Sequence, residues 1–143
     1  MIGLRYQHHY NGPDDYDLIN VVVRVFGTNE APPISINALL DTGAEHSVFD
    51  KALLPLLEIA DVTVGTPYLV QTADNREAMG YLHDLDVEFL GYQFTVPVGF
   101  VPAWPEGIDN LLGMGGFFDQ MVFGIDHRTR NLAFNPHASA NGS

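Results

Sequence analysis

An apolar run, residues 34–40, passes without a break into Asp41-Thr42-Gly43-Ala44, and this junction constrains the chain more than any other stretch. In the run, Ile34, Ile36 and Ala38 alternate with Ser35 and Asn37, the two-residue period of a strand with one buried face. A strand that ends on Asp-Thr-Gly sets a carboxylate at the mouth of a tight turn. Thr42 brings a hydroxyl able to brace that turn, and Gly43, with no Cβ, lets a second backbone or a ligand come close. The triplet occurs once in the chain. Chemistry that shares a proton between two carboxylates would therefore take its second carboxylate from another copy of the same chain.

Size and charge narrow the classes further. The 143 residues (15.7 kDa) are 46% hydrophobic, enough for one packed domain over residues 1–143 and too few for two lobes each carrying such a turn. The net charge of −12, with 18 acidic against 6 basic residues, argues against a nucleic-acid partner, whose binding rests on Lys and Arg. It argues equally against an anionic membrane surface. No stretch approaches the roughly 20 apolar residues of a membrane-spanning helix, and residues 1–10 lack the pattern of a signal peptide. A cytoplasmic location is the default expectation. Cysteine is absent, which removes disulfide and thiolate chemistry.

Strand signals dominate the rest. β-branched residues fill 17–26 up to the turn residues Gly27-Thr28-Asn29, and strands are expected again at 34–40, 47–50, 68–72, 81–90 and 93–101. In 81–90, Leu82, Leu85, Val87 and Phe89 are set off by His83, Asp84, Asp86 and Glu88, so the acidic residues read as the solvated face of a strand. Residues 73–77 read as a polar hairpin tip, and 102–107 as a Pro-rich connection that carries Trp104. A closing hairpin is expected from 121–125 and 131–134. Helix is limited to a turn or two at 51–57, checked by Pro55, and a short helix at 114–120. The domain core is expected to span about 15–135, with a disordered polar tail over 136–143.

The order of these features resembles the retroviral-type aspartic proteases, and most closely their single-domain bacterial relatives. The resemblance covers about residues 18–134. It is strongest at Leu39-Leu40-Asp41-Thr42-Gly43-Ala44 and at Asp109-Asn110-Leu111-Leu112-Gly113-Met114, and it extends to the closing pattern at 122–126 and 131–134. It implies an all-β fold, half of an acid-protease β-barrel pair with one or two short helices, working as a homodimer on a peptide or protein substrate with no cofactor and no metal. Asp41 would be the catalytic aspartate, paired with its counterpart across a two-fold axis. Thr42 would make bonds between subunits, and the Gly43 amide would donate to the carboxylates. Ala44, Glu45 and His46 would lie along the substrate. The hairpin at about 69–81 would be the flap, with Thr72, Ala73, Asp74, Asn75 and Arg76 at or near its tip.

The chain departs from the viral pattern in three places. Met114 stands where viral enzymes usually carry an Arg, so the ion pair of that Arg cannot form and the dimer must be held differently. The flap tip is polar and charged where the viral tip is glycine-rich. His46 stands where viral enzymes often carry an acid. The six histidines have no metal-ligand spacing such as His-Glu-x-x-His. The Trp104 loop lines the cleft or packs on the sheet, with nothing in the sequence to choose. Two rivals to the endopeptidase stay open at this point. One is a non-catalytic dimeric peptide-binding module with the same fold. The other is a latent enzyme whose residues 1–13 cover the cleft or the dimer surface.

Overall fold

Period-two burial along the chain becomes a strand-built structure in the computed structural model, which describes residues 6–9, 19–27, 31–71, 74–126, 128–137 and 141–142. The strands are β1 (Tyr6–His9), β2 (Ile19–Phe26), β3 (Ile34–Leu40), β4 (Ser47–Val48), β5 (Thr66–Gln71) and β6 (Glu77–Phe89). They continue with β7 (Tyr92–Phe100), β8 (Leu111–Leu112), β9 (Met121–Asp126), β10 (Asn131–Pro136) and β11 (Asn141–Gly142). Helix among the described residues is confined to three 3₁₀ turns, Lys51–Leu53, Val62–Val64 and Phe118–Gln120. The fold is all-β, and no helix among the described residues is long and apolar enough to cross a membrane.

One sheet runs β11-β7-β4-β8-β3-β2-β6-β5, and β6 also pairs with β7. That extra pairing closes β7, β4, β8, β3, β2 and β6 into a six-stranded barrel, with β5 and β11 outside the ring. A second sheet of three strands, β1-β10-β9, joins the two ends of the chain. Closure leaves fewer open edges and gives alternate residues a common interior. Val21, Val23 and Val25 of β2 turn inward, as do Leu85, Val87 and Phe89 of β6 and Phe94, Val96, Val98 and Phe100 of β7. Asp84, Asp86 and Glu88 alternate with them on the outer face, where Arg24 lies 3.2 Å from Glu88 and the Thr95 hydroxyl donates to Asp86. The acidic run is the solvated side of a strand, as its spacing implied.

The middle of β6 is the hinge of the layout. From Tyr81 onward it pairs with β7 back through Phe100, whereas residues 77–80 pair only with β5. The β5–β6 hairpin therefore projects beyond the barrel. It is longer than the sequence suggests, because β5 begins at Thr66 and β6 at Glu77. The ladder to β5 satisfies the backbone of Glu77 and Gly80, overriding their weak strand preference.

Two other expectations shift. The helix expected over 114–120 shrinks to Phe118–Gln120, because Gly116 stands at φ 85°, outside the right-handed helical range, and breaks the run. At 51–57 a single 3₁₀ turn forms, capped by the Asp50 carboxylate. Of the tail expected to be disordered from 136, Pro136 closes β10 and Asn141–Gly142 pairs with β7. The polar segment before residue 10 holds β1, whose partner is more than 120 residues away and left no local trace.

β6 turns into β7 through Leu90 and Gly91, both at positive φ (51° and 86°), the two-residue connection that matches strand twist. An L-residue at Gly91 meets the left-handed penalty. Gly91→Ala is expected to lose about 1 kcal/mol of stability, seen as a lower urea midpoint at unchanged slope.

Candidate active site

The turn at Asp41 is held by the strand that passes beside it. β3 lies parallel to β8, with Leu39 opposite Leu111 and Leu40 opposite Leu112. The Leu39 amide donates to the Asn110 carbonyl at 2.8 Å and the Asp41 amide to the Leu112 carbonyl at 2.9 Å. The chain then loops back, and the Met114 and Gly115 amides donate to the Ala44 and Glu45 carbonyls, each at 2.8 Å. Residues on both sides of the aspartate are thus bonded to one short apolar segment.

Within the turn, Asp41 braces itself. Its carboxylate Oδ1 accepts from the Gly43 amide at 2.9 Å, and its carbonyl accepts from the Ala44 amide at 3.2 Å. Thr42, expected to brace the turn through its hydroxyl, is exposed and makes no hydrogen bond within the described residues. The aspartate carries out the task instead, since an Asp side chain naturally closes on the amide two residues on. Asp41 itself is half-buried. One carboxylate oxygen is thereby fixed by an amide, and nothing among the described residues engages the other.

Beneath the turn lies a polar contact that the sequence did not single out. Ser47 is fully buried, and its Oγ accepts from the Gly113 amide at 3.0 Å. Gly113 is required by close approach: a Cβ there would fall 2.7 Å from the His46 carbonyl and 2.8 Å from that of Ala44. Asn110 ties in the next layer. Its side chain accepts from the Asp50 amide at 2.9 Å and donates to the Asn37 carbonyl at 3.1 Å. The Asp50 carboxylate in turn accepts from the Gly107 amide at 2.7 Å, fixing the Trp104 loop.

That loop lines the cleft. A cavity of about 280 Å³ opens from Gly43, Ala44, Glu45 and His46 across to β5, with Trp104 and Leu111 in its walls. A second, of about 310 Å³, lies between Trp104 and Asp74, Arg76 and Glu77 at the hairpin end. Trp104 therefore stands between the two. Ala44, Glu45 and His46 line the first cavity, beside the Asp41 turn. Asp74, Asn75 and Arg76 are exposed at the hairpin end, where Arg76 and Asp74 form an ion pair at 3.3 Å, and none of them lines the first cavity. Thr72 and Ala73 lie outside the described residues. Tyr68, Val70 and Leu111 were missed as wall residues; strand periodicity places them on a face without saying what that face meets. No group of three His, Cys, Asp or Glu among the described residues is placed to hold a metal.

Comparison with known proteins agrees with this geometry. The aspartyl protease family model matches residues 21–115, which takes in the barrel, the Asp41 turn and the Leu111-Leu112-Gly113 segment. The chain belongs to the aspartyl protease family. Among solved structures it is similar to a retropepsin-like aspartic protease from Rickettsia conorii, at 20% identity and a TM-score of 0.66, each chain covered over 100% of its length. At that identity the likeness establishes the retropepsin-like fold. A comparison with curated proteins gives no match. The order of elements that suggested a retropepsin-like bacterial protease in the sequence is the order found.

Ser47→Ala leaves the Gly113 amide buried without an acceptor. About 1–3 kcal/mol of stability is expected to go with it, in chemical denaturation, against under 0.5 kcal/mol for an exposed control such as Thr63→Ser.

Proposed function

We propose that the protein is an aspartic endopeptidase that works as a homodimer, with Asp41 as its catalytic residue. The observation that carries this reading is the Asp41 carboxylate itself, fixed by the Gly43 amide on a locked turn at the edge of a cleft. Asp-Thr-Gly occurs once, so two chains must meet to bring two carboxylates together. Thr42, exposed beside the aspartate and unbonded within the described residues, is available for bonds between subunits. The retropepsin-like fold found in the Rickettsia protease supports the same arrangement.

In that dimer the two carboxylates cannot both ionise cheaply, so they share one proton. The ionised partner takes a proton from a bound water as the water oxygen attacks the scissile carbonyl carbon. The protonated partner gives its proton to the carbonyl oxygen, forming a tetrahedral diol. Collapse of the diol breaks the C–N bond, with a proton passed to the leaving nitrogen. The Gly43 amide keeps each carboxylate aimed, and the β5–β6 hairpin folds over the substrate as a flap.

Cleavage of a mixed peptide library from about pH 4 to pH 7, by the natural chain and by Asp41→Asn, tests this. The substitution removes the group that takes the proton from water, and a rate loss of at least about a hundredfold is expected. Specific activity should also rise with protein concentration through the dimer dissociation constant. Equal cutting by both proteins would overturn the role of Asp41. A dimer that cuts nothing would favour the binding-module or latent reading.

A further inference from the structure

Two buried side-chain polar atoms among the described residues have no hydrogen-bond partner, and both lie on one seam. They are Tyr68 Oη on the β5–β6 hairpin and His46 Nδ1 beside the Asp41 turn. The two rings meet edge to face, with centroids 5.1 Å apart. Burial raises the Tyr68 phenol above its ordinary titration range, so the hydroxyl stays neutral.

Tyr68 spans the point at which the hairpin leaves the barrel. It stands opposite Gly80, the last residue of β6 before pairing with β7 begins at Tyr81. Its ring reaches past Gly80 to Gly99 of β7, and a Cβ on either glycine would collide with it. Both glycines are buried. They leave a slot that the tyrosine ring fills, and a ring seated across the pivot holds the hairpin to the barrel. The hydroxyl works the other way. Packed against Gly99 with no partner, it loses its water and gains no bond in return. A phenylalanine would fill the same slot without that cost, and a hydrogen-bonded tyrosine would lock it.

We propose that Tyr68 is a positioning residue that sets how readily the hairpin opens over the cleft. Its ring latches the hairpin shut, and its unpaired hydroxyl keeps the latch weak. The latch rests on the seam alone; its use in admitting a peptide rests on the endopeptidase reading. When the hairpin lifts at Gly80, the ring slides off Gly99 and both unpaired atoms reach water. The hydroxyl is sealed in the shut hairpin with or without a peptide beneath it. Its cost therefore cancels from peptide affinity and stays in the rates of admission and release. A latch of this kind speeds the release of two products without weakening the hold on the substrate.

The chain has no cysteine, so a dye pair placed through Glu77→Cys on the hairpin and Ser35→Cys on the barrel reports the opening. Both positions are exposed, and labelled chain is diluted into unlabelled chain so that one pair is read at a time. In single-molecule distances, Tyr68→Phe should lower the ratio of open to shut hairpins about fivefold or more, the weight of one buried unpaired hydroxyl. Tyr68→Ala, which empties the slot, should raise it. The second readout is stopped-flow binding of the fastest-cut library peptide in the Asp41→Asn background. There Tyr68→Phe should slow association and dissociation by the same factor and leave Kd unchanged. Equal open fractions in all three proteins, or a more open hairpin in Tyr68→Phe, overturn the latch. So does a changed Kd with one rate unmoved, which would make Tyr68 a substrate contact. A shifted open fraction in a protein that cuts no peptide upholds the latch and overturns the endopeptidase reading. Cutting that depends on Asp41, with no shift in the open fraction, does the reverse.

Discussion

The parallel contact between β3 and β8 is the constraint on which the rest of the molecule turns. The carbonyls of Asn110 and Leu112 accept from the amides of Leu39 and Asp41, and the chain on either side of Asp41 is bonded to the segment from Asn110 to Gly115. Parallel pairing over so short a length is weak alone. It is sustained because β8 is also pinned on its other side by Val48 of β4, and because Leu112 is fully buried. An aspartate at a free strand end would sample many positions. Here its backbone belongs to the interior of a closed barrel, and only its carboxylate reaches outward.

The same anchor sets the wall of the cleft. Asn110 gives its carbonyl to Leu39 of β3, and its side chain to Asp50 and Asn37. Asp50 both caps the 3₁₀ turn at Lys51–Leu53 and accepts from Gly107 at the end of the Trp104 loop. The position of Trp104 is thus tied to the position of the carboxylate through two side chains and no long lever. In the proposed endopeptidase a substrate held against Trp104 would sit at a fixed distance from the Asp41 carboxylate, which is what positional control of a reaction requires.

The part of this that was legible in the sequence is the part set by neighbours in the chain. Ile34, Ile36 and Ala38 announce a half-buried strand, Asp41-Thr42-Gly43 a turn, and Asp84, Asp86 and Glu88 a solvated face, and each is found so. The Leu111-Leu112-Gly113 segment was legible as an element, though its role as the partner of β3 was visible only through resemblance. Beyond reach were contacts made by residues far apart: β1 on β10, Ser47 under Gly113, Tyr68 over Gly80 and Gly99. A buried serine and a surface serine look alike in a sequence. Thr42 shows the converse, since its type suggested a brace and the shorter reach of Asp41 to the Gly43 amide took that place.

The two sides of the cleft differ in how firmly they are fixed, and the difference suits a hydrolase better than a static receptor. On the floor, backbone bonds tie the chain on both sides of Asp41 to residues 110–115. On the hairpin side, β6 leaves the barrel before Tyr81, and residues 77–80 rest on β5 alone. At its described end Asn75 sits at φ 64°, and the ion pair of Arg76 with Asp74 is 84% and 63% exposed, too open to hold a geometry. Leu69 and Met79, paired across the hairpin, stay exposed at 63% and 43%, so no packed layer ties it down from that face. In the proposed endopeptidase a peptide would thread under the hairpin, be held while water is excluded, and leave as two pieces. A hairpin tied less firmly than the floor would allow all three.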